Sequence, residues 1–308
     1  SARTGFDRAG MNDGLSLLRR IGLGTAQFGF DYGITNRNGR LSQDAISEIL
    51  WEAQTRGIDL LDTAPAYGDS ETVIGGMDPD GVFKIVTKVL PVSANIIGTA
   101  EADEVEREFD RSLERLGRSS VEGLLVHHGH QLLAPGGEHL LKRIMKLRET
   151  GRVRKIGASI YSAAEIDGIL DMFAPDIVQI PISVADQRLI TSGHLEKLKK
   201  ACVEVHARSL FLQGALLSPL SGLPHFFHAE KDSFSRVQGR ARETGITALE
   251  ICLAFANQVA ALDRLILGVA SVREFAEIVA AAETVTAMQY ALDALAFVNS
   301  DVLDPPRW

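Results

Sequence analysis

Cysteine, aromatic side chains and surplus positive charge are all scarce in this chain. Cysteine occurs twice, at Cys202 and Cys252. Neither has metal-ligand spacing, and both lie in apolar, helix-like surroundings, so both are expected as buried free thiols. Aromatic residues make up 6%, which leaves little for a stacking platform of the kind that grips sugars. Lysine and arginine total 32 against 40 acidic residues, for a formal net charge of -8. A nucleic-acid binder needs a basic face to meet phosphates, so that class is excluded. No uninterrupted apolar run reaches the roughly 18 residues that cross a bilayer. No basic start, apolar core and small-residue cleavage site opens the sequence, so no secretory signal is read. The expectation is a cytoplasmic protein with neither nucleic acid nor membrane as partner. Residues 1–20 are expected to form an extension, the ten before Met11 being appended or disordered, and residues 301–308 a C-terminal tail.

Alternation of strand and helix is what the sequence has in quantity. Eight short apolar runs stand at 21–28, 57–64, 83–89, 122–128, 154–160, 177–183, 204–212 and 264–270. Several are near-continuous in Ile, Leu and Val, the pattern of parallel strands covered on both faces. Between them lie amphipathic segments at helical spacing. The segment at 42–57 starts on a Ser cap and is closed by Gly57, and the one at 101–117 carries Val105, Phe109, Leu113 and Leu116 before Gly117. Strand then helix, eight times over with no linker, predicts a single-domain α/β fold, a (β/α)8 TIM barrel over residues 21–300. A doubly wound open sheet is the alternative, but "GLGTAQFG" does not match the glycine fingerprint that opens such sheets. Residues 213–242 read as a long excursion after the seventh strand, in which His225, Phe226 and Phe227 either form a lid or pack on the barrel.

In such a barrel the reactive face lies where strands end. Titratable residues collect there. Asp62 lies near the end of the second run, and Tyr67 follows in the loop. Lys88 ends the third run, His127 the fourth and Ser159 the fifth; Gln179 lies in the sixth, and Arg208 and Ser209 in the seventh. Taken singly, each has a plain structural reading: a solvated Lys, a hydrogen-bonded His, an Asp that caps a turn. Gathered at neighbouring strand ends, they form a complementary set. A nearby ammonium favours the phenolate and lowers a tyrosine pKa. A carboxylate would hold that ammonium, and an imidazole can hydrogen-bond a substrate oxygen. Such a set can give a proton to a carbonyl oxygen as it becomes an alkoxide.

The chain resembles the aldo-keto reductases from "IGLGTAQFG" to "GVASVREFAEIV". The resemblance is carried jointly by "DTAPAYGDSE", by "VTK" followed by a His after "LLV", and by "GRVRKIGASIY". It implies an oxidoreductase that reduces an aldehyde or ketone, or runs the reverse, with a nicotinamide cofactor and no Rossmann domain. It implies Tyr67 as general acid, Lys88 and Asp62 as its tuning partners and His127 as the group that orients the carbonyl. By the same resemblance Gly24, Thr25, Ser159, Gln179, Arg208, Ser209, Gly268, Ser271, Arg273 and Glu274 meet the cofactor, and Phe28 and His128 line the substrate pocket. The partner it implies is a small carbonyl compound. Of the histidines in "HHGH", adjacent strand residues face opposite ways, so no metal site is expected.

Departures from the family pattern are concentrated at the cofactor. Ile160 stands where an Asn is frequent, and Arg208 where an aromatic residue stacks on the nicotinamide. The family implies NADPH. After the eighth run Glu274 would repel a 2′-phosphate and Arg273 would attract one, so NADH stays open. Two other readings remain at this stage: a barrel that binds cofactor as a redox sensor or regulatory subunit, and a Schiff-base aldolase built on Lys88.

Overall fold

Runs of Ile, Leu and Val become strands because helices cover their outer faces and each other's side chains fill the inside. The computed structural model describes residues 14–37, 39–285, 292–297 and 300–303. The strands are β1 (Ile21–Gly24), β2 (Leu60–Asp62), β3 (Lys84–Val89), β4 (Val121–Val126), β5 (Val153–Ser159), β6 (Ile177–Pro181), β7 (Glu204–Arg208) and β8 (Arg264–Gly268). They pair in parallel in chain order, and β8 returns to β1, so the barrel is closed. This is the expected (β/α)8 architecture. The strands are shorter than the apolar runs. The run 204–212 stops as strand at Arg208 because Ser209, Leu212 and Gln213 take positive φ, which an extended chain cannot.

Helix starts follow the capping signals. Ser42, Ser162, Thr247 and Ser271 each accept a backbone N–H from three residues on, and Gly117 closes the helix Thr99–Leu116 at φ +63°. Residues 14–20, expected within the extension, form a helix that buries Leu17 and Leu18. Residues 1–13 lie outside the described residues. At the other end Ser300–Leu303 is a 3-10 turn with Val302 and Leu303 buried, so the expected tail begins as packed chain; residues 304–308 lie outside the described residues.

Two further expectations are corrected. Cys252 is buried, with its thiol pushed up to about 12, but Cys202 is exposed at a helix end with φ +58°. The excursion at 213–242 is not loop throughout: three 3-10 turns lead into the helix Lys231–Thr244, whose Phe234, Val237 and Ala241 are buried. Its apolar stripe is narrow, only Phe234, Val237 and Ala241, which hides the helical period. Phe227 is buried edge-on against Phe234, and Phe226 is exposed. The packing alternative therefore holds for Phe227. No helix among the described residues is long and apolar enough to cross a membrane.

Side chains in register across parallel neighbours point to the same side. One parity therefore fills the barrel interior in three levels. The lowest is charged: Lys84, Lys155, Glu204 and Arg264 at strand starts, tied into pairs such as Lys155–Glu204 and Arg264–Asp59. The middle is apolar: Leu60, Val86, Leu125, Ile177 and Ile266. The top carries Gly24, Asp62, Lys88, Ser159, Gln179, Arg208 and Gly268, two or more residues further along the same strands. Gly157 lets β5 and β6 close, since a Cβ there would lie 1.6 Å from the Ile177 carbonyl oxygen. Gly157→Ala should therefore lower stability by about 1–3 kcal/mol. Urea unfolding would show this as a lower midpoint at unchanged slope, and an unmoved midpoint would refute the packing argument.

Candidate active site

The top level of the barrel opens into a cavity of about 610 Å³. Asp62, at the last position of β2, and Lys88, one residue before the end of β3, meet at its base. Lys88 Nζ donates to Asp62 Oδ2 at 2.7 Å and to the Thr63 carbonyl at 3.0 Å. The other carboxylate oxygen, Oδ1, accepts from Gln179 Nε2 at 2.7 Å. Only 3% of Asp62 and 2% of Lys88 is exposed, so the pair is an ion pair removed from water with its hydrogen bonds filled. The Tyr67 ring lies with its centroid 5.1 Å from Lys88 Nζ, and His127 stands edge-on to it at 6.1 Å between centroids. Four residues read as a set from the sequence are thus brought together.

Backbone contact fixes the phenol. The loop carrying Tyr67 presses on the short helix Ala26–Gly29 so closely that a Cβ on Gly29 would lie 1.6 Å from the Tyr67 carbonyl oxygen. Behind them Ser70 Oγ donates to Thr25, and Thr25 Oγ1 donates to the Asp62 carbonyl at 3.0 Å. Thr25 and Ser70 are fully buried.

Burial sets the proton states. It raises the Tyr67 phenol, Lys88 pulls it back down and Asp62 pushes it up, and the net direction is above the ordinary value of 10.0. Lys88 therefore limits the rise without producing the acidified phenol expected from the sequence. Burial alone would depress Lys88, but Asp62 and Tyr67 outweigh it and hold the ammonium above 10.5. His127 is lowered to about 3, first by burial and then by Lys88, His128 and Arg208, and its Nδ1 is buried without a partner. The site at neutral pH thus holds a protonated phenol, an ammonium and a neutral imidazole. A pinned, protonated Lys88 is also a poor Schiff-base nucleophile.

The Aldo/keto reductase family model matches residues 20–296. The chain belongs to that family. It is 28% identical over 204 residues to an aldo-keto reductase of Mycobacterium sp. (strain MCS), covering 62% of this chain and 63% of that one. It is 27% identical over 196 residues to the NADH-specific methylglyoxal reductase of Escherichia coli (strain K12), covering 56% and 57%. The matched stretch thus spans about three fifths of these relatives. An aldo-keto reductase of Bacillus halodurans in its holo form shares the fold, with a TM-score of 0.69 at 19% identity over 89% of each chain. The Escherichia coli relative is named for the reduction of a carbonyl compound, methylglyoxal.

Against that family frame the other expected residues divide. Gly24, Thr25, Ser159, Gln179, Arg208, Ser209, Gly268 and Glu274 line the cavity. Ser271 does not; its hydroxyl accepts the Glu274 N–H and caps the helix Val272–Thr284. Arg273 points outward and pairs with Glu277. Phe28, expected in the substrate pocket, is fully buried in the core instead. The ring of His128 is stacked on His127 at 5.0 Å and is not part of the cavity wall. Both histidines lie beyond the end of β4, so strand alternation does not separate them. Gln179, expected to hold cofactor, donates to Asp62. Among the described residues no cluster of His, Cys, Asp or Glu is arranged to hold a metal ion.

Sequence reasoning missed Gln27, Tyr32, Tyr161 and Glu277, which also line the cavity. Gln27, Tyr161 and Glu277 fall inside the quoted "IGLGTAQFG", "GRVRKIGASIY" and "GVASVREFAEIV", but nothing in those stretches singles them out. The unfolded chain takes up the His127 proton near 6.5, well before the folded one. The stability tied to this residue is therefore complete above that pH and is lost as pH falls toward 3. Nitrogen-15 NMR of the imidazole should find it neutral at pH 5; a midpoint near 6.5 would contradict the burial described.

Proposed function

We propose that this chain reduces a small aldehyde or ketone to an alcohol with NAD(P)H, with Tyr67 as proton donor. The observation that carries the reading is the buried Asp62–Lys88 pair with Tyr67 over the ammonium and neutral His127 beside it. Tyr67 keeps its proton at neutral pH, which a donor must. Once the proton leaves, the phenolate lies against the Lys88 ammonium, whose place is fixed by Asp62 and Gln179. His127, neutral and with an unpartnered ring nitrogen, is suited to hydrogen-bond the carbonyl oxygen and orient it.

The residues present fit a dinucleotide. Gly24 and Gly268 face each other without side chains across β1 and β8, where a Cβ on Gly268 would lie 2.9 Å from Gln27 Nε2. Gln27 Oε1 is buried with no partner beside them. Thr25, Ser159, Ser209 and the wall at Gly268 would hold the cofactor, which supplies the hydride when bound. The resemblance puts the adenosine ribose at the loop after β8. Glu274 and Glu277 line the cavity there, and Arg273 is paired to Glu277. Two carboxylates on that helix, with Arg273 held in a surface pair with Glu277, favour ribose hydroxyls over a 2′-phosphate. The reading therefore shifts from NADPH to NADH, in line with the name of the Escherichia coli relative.

Purified protein should oxidise NADH at 340 nm when given a reactive aldehyde such as methylglyoxal, and Tyr67→Phe should lower kcat by about 10²–10⁴-fold. Unchanged turnover in Tyr67→Phe would end the assignment of the donor, and no turnover by the wild type would end the reading as a whole. KM should be lower for NADH than for NADPH, and Glu274→Gln should narrow the gap; a lower KM for NADPH would reverse the cofactor choice.

A further inference from the structure

Arg208 is a cation for which the described residues supply no counterion. It ends β7 with its side chain turned into the cavity, and it forms no ion pair among them. Its guanidinium lies over Tyr161, with Cζ 4.1 Å from the ring centroid. Nη1 donates to Ser209 Oγ at 3.3 Å, a neutral acceptor. Nε and Nη2 are buried with no partner. Those two nitrogens form one edge of the guanidinium fork, the edge whose spacing matches the two oxygens of a carboxylate.

The carboxylates of the site are committed elsewhere. Asp62 is filled by Lys88 and Gln179, and Glu274 accepts the Ala270 N–H at 2.7 Å. A buried charge left unpaired is costly, and removing its partner rather than its charge is the worst case. Tyr161 covers one face of the guanidinium and leaves its charge unmatched. The charge sits at the carbonyl-handling end, near enough to Tyr67, His127 and His128 to lower the pKa of each. A cation there also disfavours a cationic nicotinamide ring, which argues against the cofactor stacking that the family pattern suggests for this position.

We infer that Arg208 is the specificity determinant of this site and selects carbonyl substrates that carry a carboxylate. This rests on the reading above as a carbonyl reductase. Tyr67 would give its proton to the carbonyl oxygen while the bound cofactor supplied the hydride to its carbon, and the carboxylate would pass through unchanged, held by the Arg208 guanidinium. Tyr161 acts as a positioning residue by fixing the guanidinium plane.

Isosteric probe pairs test this: 2-, 3- and 4-formylbenzoate against the matching formylbenzamides, with NADH. At least one acid should exceed its amide in kcat/KM by about 10-fold or more, the usual scale for a charged hydrogen-bonded contact. In Arg208→Gln that ratio should collapse toward one, Arg208→Lys should keep part of it, and Tyr161→Leu should reduce it. Cofactor affinity, read by the quenching or enhancement of NADH fluorescence on binding, should change less in Arg208→Gln than the acid-to-amide ratio does. Equal turnover of acid and amide by the wild type would overturn the inference while leaving the reductase reading intact. So would an Arg208→Gln protein that loses NADH binding but keeps the ratio. Failure of every aldehyde would strike the reductase reading itself.

Discussion

An ammonium and a carboxylate taken out of water at the mouth of a closed barrel set the terms for the rest of this site. Asp62 and Lys88 are worth having there only if every lone pair and proton is answered, because the desolvation of two ions is repaid in the interior by geometry alone. The structure answers them with Gln179 and the Thr63 carbonyl. Three strands are thereby committed to one contact: β2 brings the acid, β3 the amine and β6 the amide. The closure of the barrel in strict chain order is what makes three such remote segments meet.

Burial works against Tyr67 in one sense and for it in another. It keeps the proton on the phenol, and it makes the nearby ammonium count for more when that proton is handed over, since field strength grows as water is excluded. His127 follows the same logic. Burial first, and then Lys88, His128 and Arg208 around it, keep it neutral. Arg208, without an ion-pair partner among the described residues, separates this pocket from a merely apolar one.

Much of the frame was legible beforehand because it depends on short-range patterns. Near-continuous Ile, Leu and Val runs, the cap at Ser42, and the offset of polar residues to strand ends all survive in the folded chain. What escaped depends on distances between segments. Phe28 reads as a pocket residue by its neighbours in sequence, yet the helix Ala26–Gly29 turns it into the core. Arg273 and Glu274 are adjacent but point to different worlds, one to solvent and one to a backbone N–H, because a helix start rotates successive residues by about 100°. Tyr161 and Gln27 had no titratable partner to draw notice. The excursion after β7 hid a helix whose apolar stripe is too thin to stand out.

The five apolar side chains at the middle of the barrel form a plug of hydrocarbon between two unlike polar ends. Below it lie the paired ions around Lys155, Glu204 and Arg264, and above it lies the cavity with its proton donor. On β7 the buried His206 stands between Glu204 below and Arg208 above, and its Nε2 pairs downward with Glu204 at 2.8 Å. A change of charge at the lower end therefore reaches the phenol only across that layer. One scaffold carries two polar ends, and a thin greasy wall stands between them.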